Sequence, residues 1–279
     1  MSETRASSEI ETALAGVGAL GDDEMDLAET ALMLAALERP RVALERYRLH
    51  LSDLAGGVAQ AAATGGALED RAAALIRVIV DEQGYRGDEL TYDDLQNANL
   101  MRVIDRRKGL PVTLGILYIH AARAQGWTAH GLNFPAHFLI ALERSGERLI
   151  IDPFRGKTVG DAGALRELLK TMIGRDAELT PAHCAALANR AVLLRLQNNI
   201  KSRLIAQGKG EKAVATVERM LLFAPKEAEL WREAGVLHGE LGNLGAAIAA
   251  LDKFVALTPD AAARHTAAQA LQILRRRLN

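Results

Sequence analysis

His137, in PAHFLIALE, and Asp152, in RLIIDPF, are the residue types that a nucleophilic triad uses as base and orienting acid. A carboxylate holds an imidazole in one tautomer and stabilises its charged form. Strand pairing would bring them together. HFLIALE and RLIIDPF flank Ser145-Gly146, a two-residue turn whose register sets Leu142 opposite Leu149, Ile140 opposite Ile151 and Leu139 opposite Asp152. His137 and Asp152 are then diagonal neighbours across two strands, at a distance where side chains can meet. The third member, a nucleophile, would sit in the first turn of a buried helix, where free backbone N–H groups and the helix dipole favour an anion. Such a helix is expected to start at Pro111, because proline at the first position is pre-organised and loses no hydrogen bond. Its interior, LGILYIHAA, is apolar nearly all round. Thr113 is the only hydroxyl at that helix start, and no thiol is there. The single cysteine, Cys184 in TPAHCAALANR, reads as a small buried hydrophobe.

Other residues offer less chemistry. His130 precedes His137 by seven positions, a spacing that suits no helical metal site, and no carboxylate clusters with both, so no metal or cofactor is expected. GLPVTLG lacks the lysine and spacing of a phosphate-binding loop. Asn97 and Asn99, in QNAN, precede a helix expected over about 98–107, and one of them fits its N-cap.

The elements that must position these residues follow from periodicity. EMDLAETALMLAALERP stops before Pro40, RVALERYRLHLSDLAGGVAQAAA carries Leu and Val at helical spacing, and a third helix runs from about Ala67 to Glu82. The expected fold class is α+β, a helical layer packed on a small antiparallel sheet. The C-terminal part is all-α and repeats every 34 residues. Gly208 and Gly242, Ala213 and Ala247, Ala215 and Ala249, Met220 and Phe254, and Pro225 and Pro259 all stand at that offset. Glycine at a turn between helices, alanine where helices touch and proline where the second helix ends form the tetratricopeptide signature. The expected division is a flexible segment at 1–23, a first domain at 24–185 with a helical lead-in to 82 and a core at 83–160, and a repeat domain at 186–279.

The blocks GYRGDELTYDDLQNANLMRVIDRRKGLPVTLGILYIHAARAQGW, GLNFPAHFLIAL and LIIDPFRGK, in that order, resemble the bacterial transglutaminase-like core proteins with C-terminal tetratricopeptide repeats, the SirB-type family. The resemblance covers roughly residues 25–270. It implies a transglutaminase or papain-like core, with His137 and Asp152 in the His and Asp places of a Cys-His-Asp set. The cysteine place falls between Pro111 and Thr113, where this chain has no thiol. The resemblance also sets Asn97 and Asn99 near the core, as candidates for binding together with Asn133, which with Phe134 and Pro135 is expected to set the strand's approach to His137. Two functions follow. One is a protein or peptide binder with a regulatory role, built on a transglutaminase-like domain without its thiol nucleophile. The alternative is a weak hydrolase or acyltransferase acting on an amide or ester through Thr113, His137 and Asp152.

Composition narrows the rest. Of 279 residues, 49% are hydrophobic and 25% charged, which excludes wholesale disorder. Aromatics at 4% are too few for base-stacking platforms, and no nucleic-acid partner is expected. No run is long and apolar enough for a bilayer, and the first residues lack a basic, then apolar, leader, so a cytoplasmic protein without a membrane partner is expected. The net charge of -1 hides an asymmetry: residues 1–185 hold 20 Lys and Arg against 27 Asp and Glu, or -7, leaving 14 against 8, or +6, in 186–279.

Overall fold

The computed structural model describes residues 3–62 and 66–278. The chain forms α1 (Glu3–Ala19), α2 (Leu27–Leu37), α3 (Glu45–Ala61) and α4 (Leu68–Ile76), the last continuing as a π-helix over Arg77–Glu82. A short parallel pair, β1 (Arg86–Gly87) and β2 (Lys108–Gly109), brackets α5 (Leu100–Arg106). Then come α6 (Pro111–Arg123), strands β3 (Thr128–Leu132), β4 (Ile140–Arg144), β5 (Glu147–Asp152) and β6 (Lys157–Val159), helix α7 (Ala162–Ile173) and strand β7 (Ala186–Leu187). Five helices follow: α8 (Asn189–Ala206), α9 (Gly210–Phe223), α10 (Ala228–Glu240), α11 (Leu244–Leu257) and α12 (Ala261–Leu278). No helix among the described residues is long and apolar enough to cross a membrane.

The chain divides into two compact units. In the first, which spans Gly21–Leu196, β3 to β7 form one antiparallel sheet of order β6-β5-β4-β3-β7. The hairpin register is the expected one, Ile140 with Ile151 and Leu142 with Leu149. Ser145 and Gly146 at φ 53° and 85° supply the left-handed backbone that a tight hairpin turn needs. The fold is α+β as expected, and the sheet is covered on both faces. Phe138 and Ile140 meet Gly115 of α6, while Leu132, Leu139, Ala141 and Ile150 pack with Leu165, Leu168 and Leu169 of α7. Helix α6 does start with Pro111 at its first position, and from Pro111 to Ile119 every residue is buried.

The second unit is all-helical. Gly208 and Gly242 sit at φ 68° and 77° in the turns before α9 and α11, and Pro225 and Pro259 follow the ends of those helices. Ala213 and Ala247, like Met220 and Phe254, are fully buried, so residues one repeat apart occupy equivalent places.

Two expected boundaries differ. The segment expected to be flexible, 1–23, begins outside the described residues, and from residue 3 it is ordered: Glu3–Ala19 are helical, and Thr4–Leu20 group with the repeats. Leu14 is fully buried, and the backbone at Gly18 lies so close to the Leu222 carbonyl that a Cβ would not fit. An alanine-rich helix gains its stability from that burial, which an unpaired polar stretch would not reveal. The division between units falls after Leu196 rather than after 185. Val192 packs against Gly131 of β3, and Asn189 bonds to the carbonyls of Asp22 and Met25, so the start of α8 belongs to the first unit.

Candidate functional site

The loop between β3 and β4 carries His137. Leu132 N–H donates to the Leu139 carbonyl at 2.8 Å and closes the loop, and Ala136 takes a left-handed φ of 55° just before the histidine. Arg195 of α8 donates to the carbonyls of Phe134 and His137, and its guanidinium lies 5.5 Å from the centroid of the Phe138 ring. Burial pushes the Arg195 pKa down. Arg195 is a positioning residue that sequence reasoning missed, because its acceptors are backbone oxygens about sixty positions away.

Asp152 ends β5, and its carboxyl is fixed by the backbone that follows. Its Oδ1 accepts from the N–H groups of Phe154 at 3.0 Å and Arg155 at 3.2 Å, and Arg155 Nε stands 3.7 Å from Oδ2. His137 Nε2 is 3.0 Å from Asp152 Oδ2, so the hairpin brings the two residues together. The oxygen lies off the line of the ring N–H, and Nε2 therefore has a close anion without an in-line hydrogen bond. Both side chains are buried. No described group bonds to Nδ1 of His137, the nitrogen that would face a nucleophile. The ring of Phe154 meets the imidazole edge-on at 6.3 Å, and Tyr92 meets Phe154 in turn at 5.8 Å. Tyr118 of α6 is fully buried, and its hydroxyl has no partner among the described residues. Burial, with the charges of Asp152 and Asp81, holds its pKa above the usual phenol range.

Thr113 is not next to that constellation by any hydrogen bond. It is fully buried, and its hydroxyl donates to the Asn97 carbonyl at 2.8 Å. Asn97 is itself a structural hub: Oδ1 accepts from Arg106 at 2.9 Å, and Nδ2 donates to the Thr91 carbonyl at 2.6 Å. Arg106 continues to Asp88 at 2.9 Å. The Asp88 carboxyl is held down to about 2, first by the Thr91 hydroxyl and also by Arg106 and Asn97, against the opposing effect of burial. Asn99 caps α5, accepting from Arg102 N–H at 3.1 Å, and its amide donates to the Ala35 carbonyl at 3.0 Å. Of the three asparagines, only Asn133 is exposed, beside the His137 loop. Cys184 ends a short 3-10 turn (Pro181–Cys184) and is partly buried against the α7 core. His130 approaches Glu143 at 3.5 Å on the sheet. The Asp88–Thr91 contact was the one legible clue to the hub, since an Asp bonding a hydroxyl three residues on is a local turn pattern.

Comparison with known proteins agrees with this architecture. Residues 45–198 match the transglutaminase-like superfamily, and 200–272 match a tetratricopeptide repeat family. A UPF0162 protein of Vibrio cholerae is 31% identical over 239 residues, covering 85% of this chain and 88% of that protein. A UPF0162 protein of Xylella fastidiosa is 28% identical over 85% of this chain and 86% of its own. Protein SirB1 of Salmonella typhimurium is 27% identical over 67% of this chain and 69% of its own. Stacked helical repeats of this class present surfaces for other proteins. With a hairpin that pairs histidine and aspartate, a sheet packed on a buried helix, and 34-residue repeats behind them, the chain belongs to the SirB-type branch of the bacterial transglutaminase-like proteins.

Proposed function

We propose that this protein works by binding a protein or peptide, in a regulatory role, through a transglutaminase-like domain that has no nucleophile to offer its histidine. The observation that carries the reading is the state of Thr113. An alcohol needs a general base to become a nucleophile, and this one is buried and already donating to the Asn97 carbonyl at 2.8 Å. The only cysteine stands in the Pro181–Cys184 turn. His137 keeps the Asp152 carboxylate at 3.0 Å, and no hydroxyl or thiol among the described residues bonds to its Nδ1, so the imidazole has hydrogen-bonding capacity left for a ligand. The repeats supply a second binding surface. A cytoplasmic location belongs to the same proposal and is checked by cell fractionation.

Two measurements on the full chain test it. A displayed random-peptide library should yield binders that compete with one another, and a library that yields none would remove the peptide. A hydroxyl-directed electrophilic probe should leave Thr113 unlabelled. Labelling of Thr113 that disappears in His137→Ala would replace binding by a hydrolase or acyltransferase working through Thr113, His137 and Asp152.

A further inference from the structure

A groove of about 520 Å³ opens beside Phe154, the residue whose ring meets His137, with Arg86, Lys108, Arg155 and Lys157 on its walls. Asp88 and Glu89 also line it. These charges do not cancel. Asp88 is taken up by Arg106, and Arg155 leans on Asp152. Arg86, Lys108 and Lys157 have no ion pair among the described residues, and the one carboxylate left to answer them is Glu89. A surplus of two positive charges is therefore gathered in a stretch, 1–185, whose total is -7. The backbone adds to the mismatch. Arg86 and Lys108 are register partners in the parallel β1–β2 pair, which sets two like charges beside one another at the groove. At the rim, Leu90 leaves 89% of its surface exposed, the largest value for any described large apolar side chain.

We infer that this groove holds an extended acidic peptide segment, its carboxylates against Arg86, Lys108 and Lys157 and an apolar side chain against Leu90. The inference rests on the binding role proposed above and specifies the chemistry of the partner. A peptide suits the groove better than a nucleic acid. The one ring in its wall, Phe154, is already engaged by Tyr92, His137 and the close-lying Gly87, and a lone ring is no platform for successive bases. Glu89 among the cations would also repel a continuous phosphate chain while leaving room for separated carboxylates. A peptide ending at Phe154 would lie next to the imidazole, so His137 reports occupancy.

The test is fluorescence anisotropy with the full chain and three labelled hexapeptides, Glu-Glu-Leu-Glu-Glu-Glu and its Gln and Lys counterparts. The Glu peptide should bind at least about tenfold more tightly than the Gln peptide, the Lys peptide should not bind, and raised salt should weaken the complex. Lys108→Gln with Lys157→Gln should reduce Glu-peptide affinity about tenfold. Lys157→Gln alone, at an exposed position, should still reduce it about threefold. The His137 ring resonances should move on titration with the Glu peptide and stay in place with the Lys peptide. Equal binding of the Glu and Gln peptides, or affinity indifferent to both variants, overturns the acidic partner and leaves the binding role standing. A decathymidine that displaces the Glu peptide at lower concentration than the peptide's own also overturns it. If the three peptides fail while the random library yields binders, this inference alone falls; if the library fails too, both fall.

Discussion

Two buried polar clusters lie in the first unit, and they are built on opposite terms. Around Asn97, the side chains are tied to one another: Arg106 serves Asn97 and Asp88, Asn97 serves Thr91, and Thr113 serves the Asn97 carbonyl. Around His137, the accounts are open. Nε2 has a carboxylate at 3.0 Å but no aligned bond, and the Tyr118 hydroxyl has no partner among the described residues. Buried polar groups are nearly always satisfied, and an exception asks for a reason. The closed cluster holds loops in place. The open one keeps hydrogen-bonding capacity in reserve, which is what a ligand or an ordered water requires.

The contrast can be broken most directly at the hub. Asn97→Ala removes three side-chain bonds and leaves one Arg106 N–H and the Thr91 carbonyl without their Asn97 partner, so it should cost about 2–3 kcal/mol in chemical denaturation. A loss below ~1 kcal/mol would mean that the closed cluster is not a structural tie. Asp88 sharpens the same point through pH. Its folded pKa, about 2, lies below the unfolded carboxyl value, so its contribution is full above about pH 4 and lost as pH falls through about 2. Asp88→Asn should flatten that part of the stability-against-pH curve, whereas an unchanged acid limb would assign the acid sensitivity to other carboxylates.

Smaller effects separate Thr113 from the histidine. Thr113→Val keeps the shape and deletes one donor, so stability should fall by about 1 kcal/mol while peptide affinity stays the same. Lost affinity without lost stability would return Thr113 to the binding site. The smallest change is expected in the open cluster. Tyr118→Phe deletes a hydroxyl that has no partner among the described residues, and stability should be unchanged or rise by about 1 kcal/mol. A fall of ~1 kcal/mol or more would reveal a buried water shared by Tyr118 and its neighbours.

The open cluster was the more legible of the two in the sequence. A two-residue turn fixes strand register, and register alone carries His137 to Asp152. Pro111 likewise announces the start of α6, and the 34-residue period announces the repeats. The closed cluster has no period. Asn97 meets Thr91 and Arg106 through an irregular loop and a 3-10 turn, where side-chain direction depends on local backbone angles that residue types do not encode. Arg195 was hidden for a related reason, since a bond to a carbonyl leaves no mark on the identity of the acceptor residue. Helix α1 was misread because its polar, glycine-containing sequence shows no strong apolar stripe, and its burial depends on a surface contributed some two hundred residues later.

The Phe138 ring is held between Gly115 of α6 and Gly131 of β3, with the Arg195 guanidinium over its face. A Cβ at Gly115 would overlap the ring, and one at Gly131 would stand 2.5 Å from Cζ. These positions are therefore not free to drift one at a time. A descendant that acquired alanine at either glycine would need a smaller residue at 138, and that exchange would leave the arginine without its platform and the adjacent histidine without its anchor. Through this one ring, the seat of the His137 loop is coupled to two glycines that stand outside the pairing of imidazole and carboxylate.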